Sequence, residues 1–218
     1  PPNGGFMAPT EGPFSPPTAV FYIDVDDLDE TNEAITEAAG EILVEDMEVP
    51  EMGFFTMFRD SRSVINAAWE DRYEGEPPTG GWPRFTDQAA NGSIVHFEIY
   101  GDDPAGTQAF YESVFGWEFE AVEGEYTMIR PPTPPDGGVM ETNEQMPLGT
   151  LAYVLVESTA DACATIEAAG GAVLREPFDI EGWGTMAVFE APGGIVQAVW
   201  ENLPESTETG EAEPRSAG

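Results

Sequence analysis

The amino-acid sequence repeats itself, and this repetition limits the possible folds more than any other feature. Residues 19–60 align with residues 150–191, so that Ala38-Ala39-Gly40 falls on Ala168-Ala169-Gly170 and Trp69 falls on Trp200. A shorter match precedes each copy, since residues 1–7 align with residues 134–140. A long internal match indicates a supersecondary unit that buries its apolar face against other copies of itself.

Each copy has the pattern of a βαβββ unit. Alternating apolar residues at 19–25 and 151–156 predict a half-buried strand. A helix follows, which we expect to begin at Asp29 in one copy and at Thr159 or Asp161 in the other. Gly40 and Gly170 stand where a left-handed helix end is expected. Three short strands complete each unit, at 42–45, 54–59 and 64–69, and at 173–176, 185–190 and 195–200.

The segment between the copies is a third, diverged unit. Residues 94–100 predict a strand, and Asp102 or Asp103 with Pro104 predicts the start of a helix that ends at Gly116. Strands are then expected at 117–122, 126–130 and 138–141.

The chain is strongly acidic, and this excludes some classes of partner. It carries 42 Asp and Glu against 7 basic residues, for a net charge of −35. Such a charge repels nucleic-acid phosphates and anionic lipids, so neither is expected as a partner. Hydrophobic residues make up 41%, enough for a core, and the one cysteine, Cys163, excludes an internal disulfide. Acidity of this kind predicts a protein of a salt-rich cytoplasm, from a halophile.

Particular residues resemble a known family. His96-Phe97-Glu98-Ile99, Asp102-Asp103-Pro104, and the run from Phe110 to Trp117 resemble the opening module of the vicinal-oxygen-chelate superfamily, which includes glyoxalase I, bleomycin-resistance proteins and extradiol dioxygenases. Residues 22–29 resemble that family's second module, and the duplication resembles its tandem glyoxalase-like branch. The resemblance implies an α+β fold in which pairs of βαβββ modules form open curved barrels around a pocket.

The resemblance also implies a domain layout. Residues 93–202 should form a complete domain from modules 93–148 and 149–202. Residues 1–70 should hold an incomplete domain, with one full module and the last strand of another. Residues 71–92 are expected to be a linker, and 203–218 an acidic disordered tail. The incomplete domain has three explanations: a preceding piece is lacking, another subunit completes it, or it packs on the second domain.

A metal site is expected to be degenerate. By resemblance, the family places one ligand on the first strand of each module and a carboxylate on each last strand. His96, seven residues before Asp103, and Glu141 are the candidates in one module, whereas Tyr153 and Ala198 occupy the other. No cofactor is therefore expected, and the alternative is a divalent ion (Zn, Ni, Fe or Mn) at His96 and Glu141.

The remaining candidates describe a pocket for a small organic ligand. His96 is either a metal ligand or general base, or a histidine that lines the pocket or core. Glu98 shares its strand face and either tunes His96 or accepts structural hydrogen bonds. The expected function is ligand binding. The alternatives are a metal-dependent lyase, isomerase or dioxygenase, with His96 and Glu98 as catalytic candidates, and assembly as a homodimer through the N-terminal module. The expected pocket residues are His96, Glu98, Tyr100, Met128, Tyr153, Trp183 and Gln197.

Overall fold

The computed structural model describes residues 19–50, 52–71, 89–122, 126–132, 134–143 and 146–203. Three expectations lie outside these residues: the strand remnant near the N-terminus, most of the linker, and the acidic tail.

Three βαβββ modules follow one another along the chain, and the predicted α+β fold is confirmed. The first module contains β1 (Tyr22–Asp24), α1 (Leu28–Glu37), β2 (Glu41–Val49), β3 (Gly53–Arg59) and β4 (Ile65–Glu70). The second contains β5 (Ile94–Gly101), α2 (Pro104–Phe115), β6 (Glu118–Ala121), β7 (Thr127–Arg130) and β8 (Gly137–Glu141). The third contains β9 (Gly149–Leu155), α3 (Thr159–Ala168), β10 (Ala172–Ile180), β11 (Gly184–Glu190) and β12 (Val196–Asn202).

The second and third modules share one open sheet. Its eight strands run in the order β10-β11-β12-β9-β5-β8-β7-β6, so the first strands of the two modules, β9 and β5, meet at its centre. They pair antiparallel, and each also pairs in parallel with the last strand of its own module. The first module forms a separate four-stranded sheet in the order β1-β4-β3-β2.

A polar side chain caps each helix, and it differs from the predicted residue in α1. The Asp27 carboxylate caps α1 by accepting a hydrogen bond from the Glu30 backbone N–H at 2.9 Å, so the expected start at Asp29 is wrong. Ser158 caps α3 in the same way through Asp161 N–H at 3.2 Å, and the helix then begins at Thr159, one of the two expected residues. Asp103, one of the two residues expected for α2, caps that helix.

The end of α1 also differs from the prediction. Ala39, with φ 62°, takes the left-handed conformation that was expected of Gly40. Gly40 is needed for another reason: a Cβ there would lie 2.8 Å from side-chain atoms of Ile35 and Phe110. Because glycine has no side chain, the first module can approach helix α2 of the second module closely at Gly40.

A shared core joins the first module to the second. Ile35, Phe58 and Val64 of the first module are fully buried in one cluster with Phe97, Phe110, Tyr111 and Trp117 of the second. Polar contacts accompany this core, since the Asn66 amide donates to the Tyr111 hydroxyl at 2.8 Å and Arg62 pairs with Asp103 at 2.6 Å. Of the three explanations for the incomplete domain, packing on the second domain is the one that these contacts describe.

Candidate functional site

The site lies on the face of the eight-stranded sheet that carries no helix, which we call the helix-free face. Phe97 and Ile99 of β5 point to the opposite side and pack with α2. Strand alternation therefore turns His96, Glu98 and Tyr100 to the helix-free face. Tyr153 of β9 lies opposite His96 in the register, so the residues of the two modules meet at the centre of the sheet.

A buried carboxylate is the centre of this site. Glu98 is 6% exposed, and its Oε2 accepts hydrogen bonds from the Tyr100 hydroxyl and the Tyr153 hydroxyl, each at 2.5 Å. The Tyr126 hydroxyl also hydrogen-bonds Glu98. Three phenol groups from three strands or strand ends therefore replace the water that a buried carboxylate loses.

Tyr126 connects the carboxylate to the only histidine of the chain. Its hydroxyl lies 2.7 Å from His96 Nε2, with donor and acceptor roles set by the histidine tautomer. Gly138 makes this position possible, because a Cβ at Gly138 would lie 2.1 Å from the Tyr126 hydroxyl oxygen. His96, Tyr126 and Glu98 thus form one hydrogen-bonded chain.

Burial sets the protonation states of these hydrogen-bonded side chains. Burial lowers the pKa of His96 to about 4, against the opposing effect of Asp136, so the imidazole is neutral at neutral pH. Burial raises the pKa of Glu98, and hydrogen bonds from the tyrosines oppose that rise. Burial and the Glu98 charge raise the pKa values of Tyr100, Tyr126 and Tyr153. The phenols therefore stay protonated and remain hydrogen-bond donors.

Apolar side chains surround the polar centre. Met128 pairs with Gly138, which pairs with Glu98, so Met128 lies on the same face and is 7% exposed. Met140, Phe178 and Trp200 pack on the cluster around Tyr100 and Tyr153 while staying partly exposed. A surface of this kind, mostly apolar with a few fixed polar groups, suits a small organic molecule.

Two predicted pocket residues lie elsewhere. Trp183 is 57% exposed in the turn between β10 and β11. Gln197 alternates with Ala198 and shares the side of Val199, which packs with Cys163 of α3. Its Oε1 accepts a hydrogen bond from the Ala152 backbone N–H at 3.1 Å, so Gln197 supports the β9–β12 pairing.

The strand register shows that His96 and Tyr153, the two expected first-strand metal positions, are not equivalent and differ by two residues. In each module the first strand pairs in parallel with the last strand. The equivalent pairs are Tyr22 with Ala67, Glu98 with Gly138, and Tyr153 with Ala198. Glu98, and not His96, is therefore the counterpart of Tyr153. Counting seven residues back from the helix cap Ser158 gives Leu151 as the counterpart of His96.

The residues at these positions do not fit a divalent cation. The two first-strand positions hold His96 and Leu151, and the two last-strand positions hold Gly138 and Ala198, so only one side chain can donate to a metal. Among the described residues, no three His, Cys, Asp or Glu side chains gather in a metal-binding group. One imidazole alone does not hold a divalent ion against water.

Glu141 has a counterpart residue in each of the other two modules. It ends β8 as Glu70 ends the matching strand β4 and Glu201 lies near the end of β12. The Glu70 carboxylate accepts from Leu28 N–H at 2.9 Å and the Glu201 carboxylate from Thr159 N–H at 2.8 Å, each at the start of a helix. Glu141 itself is exposed and lies level with Gly101, five positions along β5 from His96. The structure therefore does not bring Glu141 and His96 together.

Sequence reasoning missed Tyr126 and Gly138 as site residues. The one available signal was the pair Gly137-Gly138 inside a strand, since glycine in a strand often marks a close approach. A Cβ at Gly137 would meet the Phe97 ring at 2.5 Å on the helix side, so the two glycines admit one aromatic residue on each face.

Comparisons with known proteins agree with this fold. Residues 93–199 match the model of the Glyoxalase/Bleomycin resistance protein/Dioxygenase superfamily. The chain is 26% identical over 196 residues to the "Putative glyoxylase CFP32" of Mycobacterium bovis, covering 87% of this chain and 72% of that protein. It is 29% identical over 130 residues to the "Anthracycline biosynthesis protein DnrV" of Streptomyces peucetius, covering 51% of this chain and 47% of that protein.

Solved structures show the same fold at low identity. The Mn(II)-bound glyoxalase from Novosphingobium aromaticivorans aligns with a TM-score of 0.59 and 14% identity, over 84% of this chain and 62% of that one. The 2,3-dioxygenase LapB from Pseudomonas sp. KL28 aligns with a TM-score of 0.55 and 15% identity, over 84% of this chain and 71% of that one.

Among the described residues, no helix is long and apolar enough to cross a membrane.

Proposed function

We propose that the chain, whose residues 93–199 match the model of the Glyoxalase/Bleomycin resistance protein/Dioxygenase superfamily, binds a small organic ligand on the helix-free face between its second and third modules. We propose further that it does so without a metal ion. The observation that carries the proposal is that three of the four metal positions assigned from the strand register hold Leu151, Gly138 and Ala198, which are not metal ligands.

The chemistry of the face supports ligand binding. The Glu98 carboxylate and its three phenols form a fixed polar floor, and partly exposed Phe178 and Trp200 stand around it. A ligand on this floor meets apolar surface on its sides and hydroxyl oxygens below. Such a site orients a molecule by a few hydrogen bonds while apolar burial supplies affinity.

An uncharged fluorescent probe tests this proposal. N-phenyl-1-naphthylamine fluoresces when it leaves water, and we expect the chain to bind it in saturable fashion. Trp200→Ala should weaken binding about tenfold, because a partly buried indole contributes one or two kcal/mol of apolar contact. Trp69 is the counterpart of Trp200 in the first module, where it pairs with Phe55 as Trp200 pairs with Met186. Trp69→Ala is therefore the matched control, and equal losses in both variants would overturn the proposal.

The metal-dependent alternative makes a different prediction. A lyase, isomerase or dioxygenase that uses Zn, Ni, Fe or Mn requires a stoichiometric ion at His96. Metal analysis of the protein purified without chelators should find no stoichiometric ion. An ion that is present in the natural sequence and lost in His96→Ala would replace the ligand-binding proposal with the metal enzyme.

A second candidate function is assembly as a homodimer through the first module. One observation favours it: Tyr22 is 48% exposed, whereas its counterpart Tyr153, covered by the neighbouring module, is 2% exposed. Met47 of β2 is likewise 49% exposed. An open apolar face of this kind often marks an interface. Light scattering in multimolar KCl should give twice the 23.5 kDa chain mass if the chain dimerises, and Tyr22→Asp should halve it. A monomer would remove this candidate.

A further inference from the structure

An irregularity in strand β10 turns one arginine toward the proposed ligand. Arg175 pairs with Val188 and Phe178 pairs with Met186 across the β10–β11 ladder, with a register shift between the two pairs. Val188 and Met186 both belong to the cluster on the helix-free face. Since opposed residues of a ladder share a face, Arg175 and Phe178 both point there. Without the extra residue, positions three apart would point to opposite faces.

The arginine stacks on an aromatic ring of the site. The guanidinium carbon of Arg175 lies 3.5 Å from the centre of the Phe178 ring. This contact holds the guanidinium against the ring, and the exposed Arg175 can still offer N–H donors to a ligand. Burial raises the pKa of the Cys163 thiol on α3, and the negative charge of Glu176, the residue after Arg175, raises it further.

Arg175 differs from the other described arginines in its ion pairing. Arg59, Arg62 and Arg130 each pair with one or more carboxylates. Within the described part of the chain, Arg175 is the one arginine with no carboxylate partner. A chain with 42 acidic residues offers such partners readily, so an unneutralised arginine on the ligand face is a specific feature of this site.

The first module shows that the irregularity does not need an arginine. Strand β2 has the same register shift, between Val44, which pairs with Met57, and Met47, which pairs with Phe55. Val44 therefore holds the position of Arg175, and Met47 that of Phe178. Since valine occupies the same position in β2, the register shift does not itself require a charged side chain.

We propose that Arg175, held against Phe178, binds the carboxylate of a ligand whose apolar or aromatic body lies on the helix-free face. The guanidinium edge donates two parallel N–H bonds to a carboxylate, while Trp200 and Met140 contact the body of the molecule. Glu98 and the neutral His96 offer no positive charge to a ligand carboxylate, whereas Arg175 does. This sets the orientation, with the carboxylate at the β10 rim and the uncharged end over the tyrosines.

The inference rests on the proposed ligand-binding function, and a matched pair of competitors separates the two. In this test, 2-naphthoate competes with bound N-phenyl-1-naphthylamine on the natural chain in 2 M KCl, and 2-naphthamide, which has the same shape without the charge, is the second competitor. We expect the carboxylate to displace the probe at about fivefold lower concentration, the effect of one exposed charge-assisted contact.

Variants then assign that preference to one residue. In Arg175→Val, which copies Val44, the two competitors should become equal while 2-naphthamide keeps its affinity. Arg175→Lys should retain part of the preference. Arg59→Val, which removes a charge from the first module, should leave the preference unchanged. Failure of the probe to bind at all would overturn the ligand-binding function itself. A natural chain without the preference, or an Arg175→Val variant that keeps it, would overturn only the assignment of Arg175.

Discussion

The Tyr153 hydroxyl donates to Glu98 Oε2 at 2.5 Å across the central strand pair that joins two modules. The counterpart of Tyr153 in the first module, Tyr22, is half exposed and stacks edge-on against Phe55 and Trp69. The same residue type at the same position therefore has a polar role only where a second module supplies a carboxylate.

Tyr153→Phe tests the value of that hydrogen bond. It leaves the buried Glu98 with one donor fewer, and we expect the free energy of unfolding to fall by about 1–3 kcal/mol. Tyr22→Phe, the matched control on the half-exposed counterpart, should change it by less than about 0.5 kcal/mol. Chemical denaturation of both variants gives the comparison, and equal effects would show that Glu98 does not depend on this donor.

The single histidine provides a pH test. Burial lowers the pKa of His96 to about 4 in the folded chain, below its ordinary value of 6.5. The unfolded chain thus binds more protons between these values, so stability from this group is present above pH 6.5 and is lost as the pH falls toward 4. Glu98, with its raised pKa, acts with the opposite sign over its own range.

His96→Asn isolates the histidine contribution from the carboxylates. The difference in unfolding free energy between the natural chain and the variant should change between pH 6.5 and 4 and be flat above pH 7. Because the chain has 1 His, one imidazole resonance in the NMR spectrum reports the pKa directly. A midpoint near 6.5 would contradict the burial of His96 in the hydrogen-bonded chain.

Gly138→Ala tests the space that Tyr126 needs. The new methyl group would lie 2.1 Å from the Tyr126 hydroxyl oxygen, so the tyrosine must move away from Glu98 and His96. We expect a loss of about 1–3 kcal/mol of stability and a shifted His96 resonance. Gly193→Ala is the control, because a Cβ there meets no atom within 4 Å. An unchanged His96 resonance in Gly138→Ala would separate Tyr126 from the histidine.

The acidic composition predicts a salt-dependent fold. A net charge of −35 repels itself in dilute buffer, and at 1 M salt the screening length falls to about 3 Å. The melting temperature should therefore rise steeply with KCl up to about 1 M and more slowly beyond. A melting temperature that is the same in dilute buffer would contradict the prediction of salt adaptation.

Local patterns predicted the modules well. Turn residues delimited strands such as β3 and β11 to within one residue, and the Asp-Pro pair indicated the start of α2. These features depend on neighbouring residues along the chain, which a sequence displays directly. The cap of α1 was missed because Asp27 competes with Asp29, an equally suitable residue two positions later, whereas α3 begins at the predicted Thr159.

The candidate site was only partly predictable, because register decides it. His96, Glu98, Tyr100 and Tyr153 share the expected face, but the two-residue correction of the metal positions follows from the cap of α3 and the ladders of β8 and β12. Tyr126 joins the site through the order β5-β8-β7, and Arg175 through the irregularity in β10. No one-dimensional pattern contains these cross-strand relationships.

The central claim is that the second and third modules keep a ligand face while lacking a metal site, and the His96 resonance tests it most directly. Addition of stoichiometric Mn(II) broadens the imidazole signals of a histidine that binds the ion. We predict that the His96 signals of the natural chain keep their linewidth and that N-phenyl-1-naphthylamine shifts them. Broadening by Mn(II), with no response to the probe, would contradict the account.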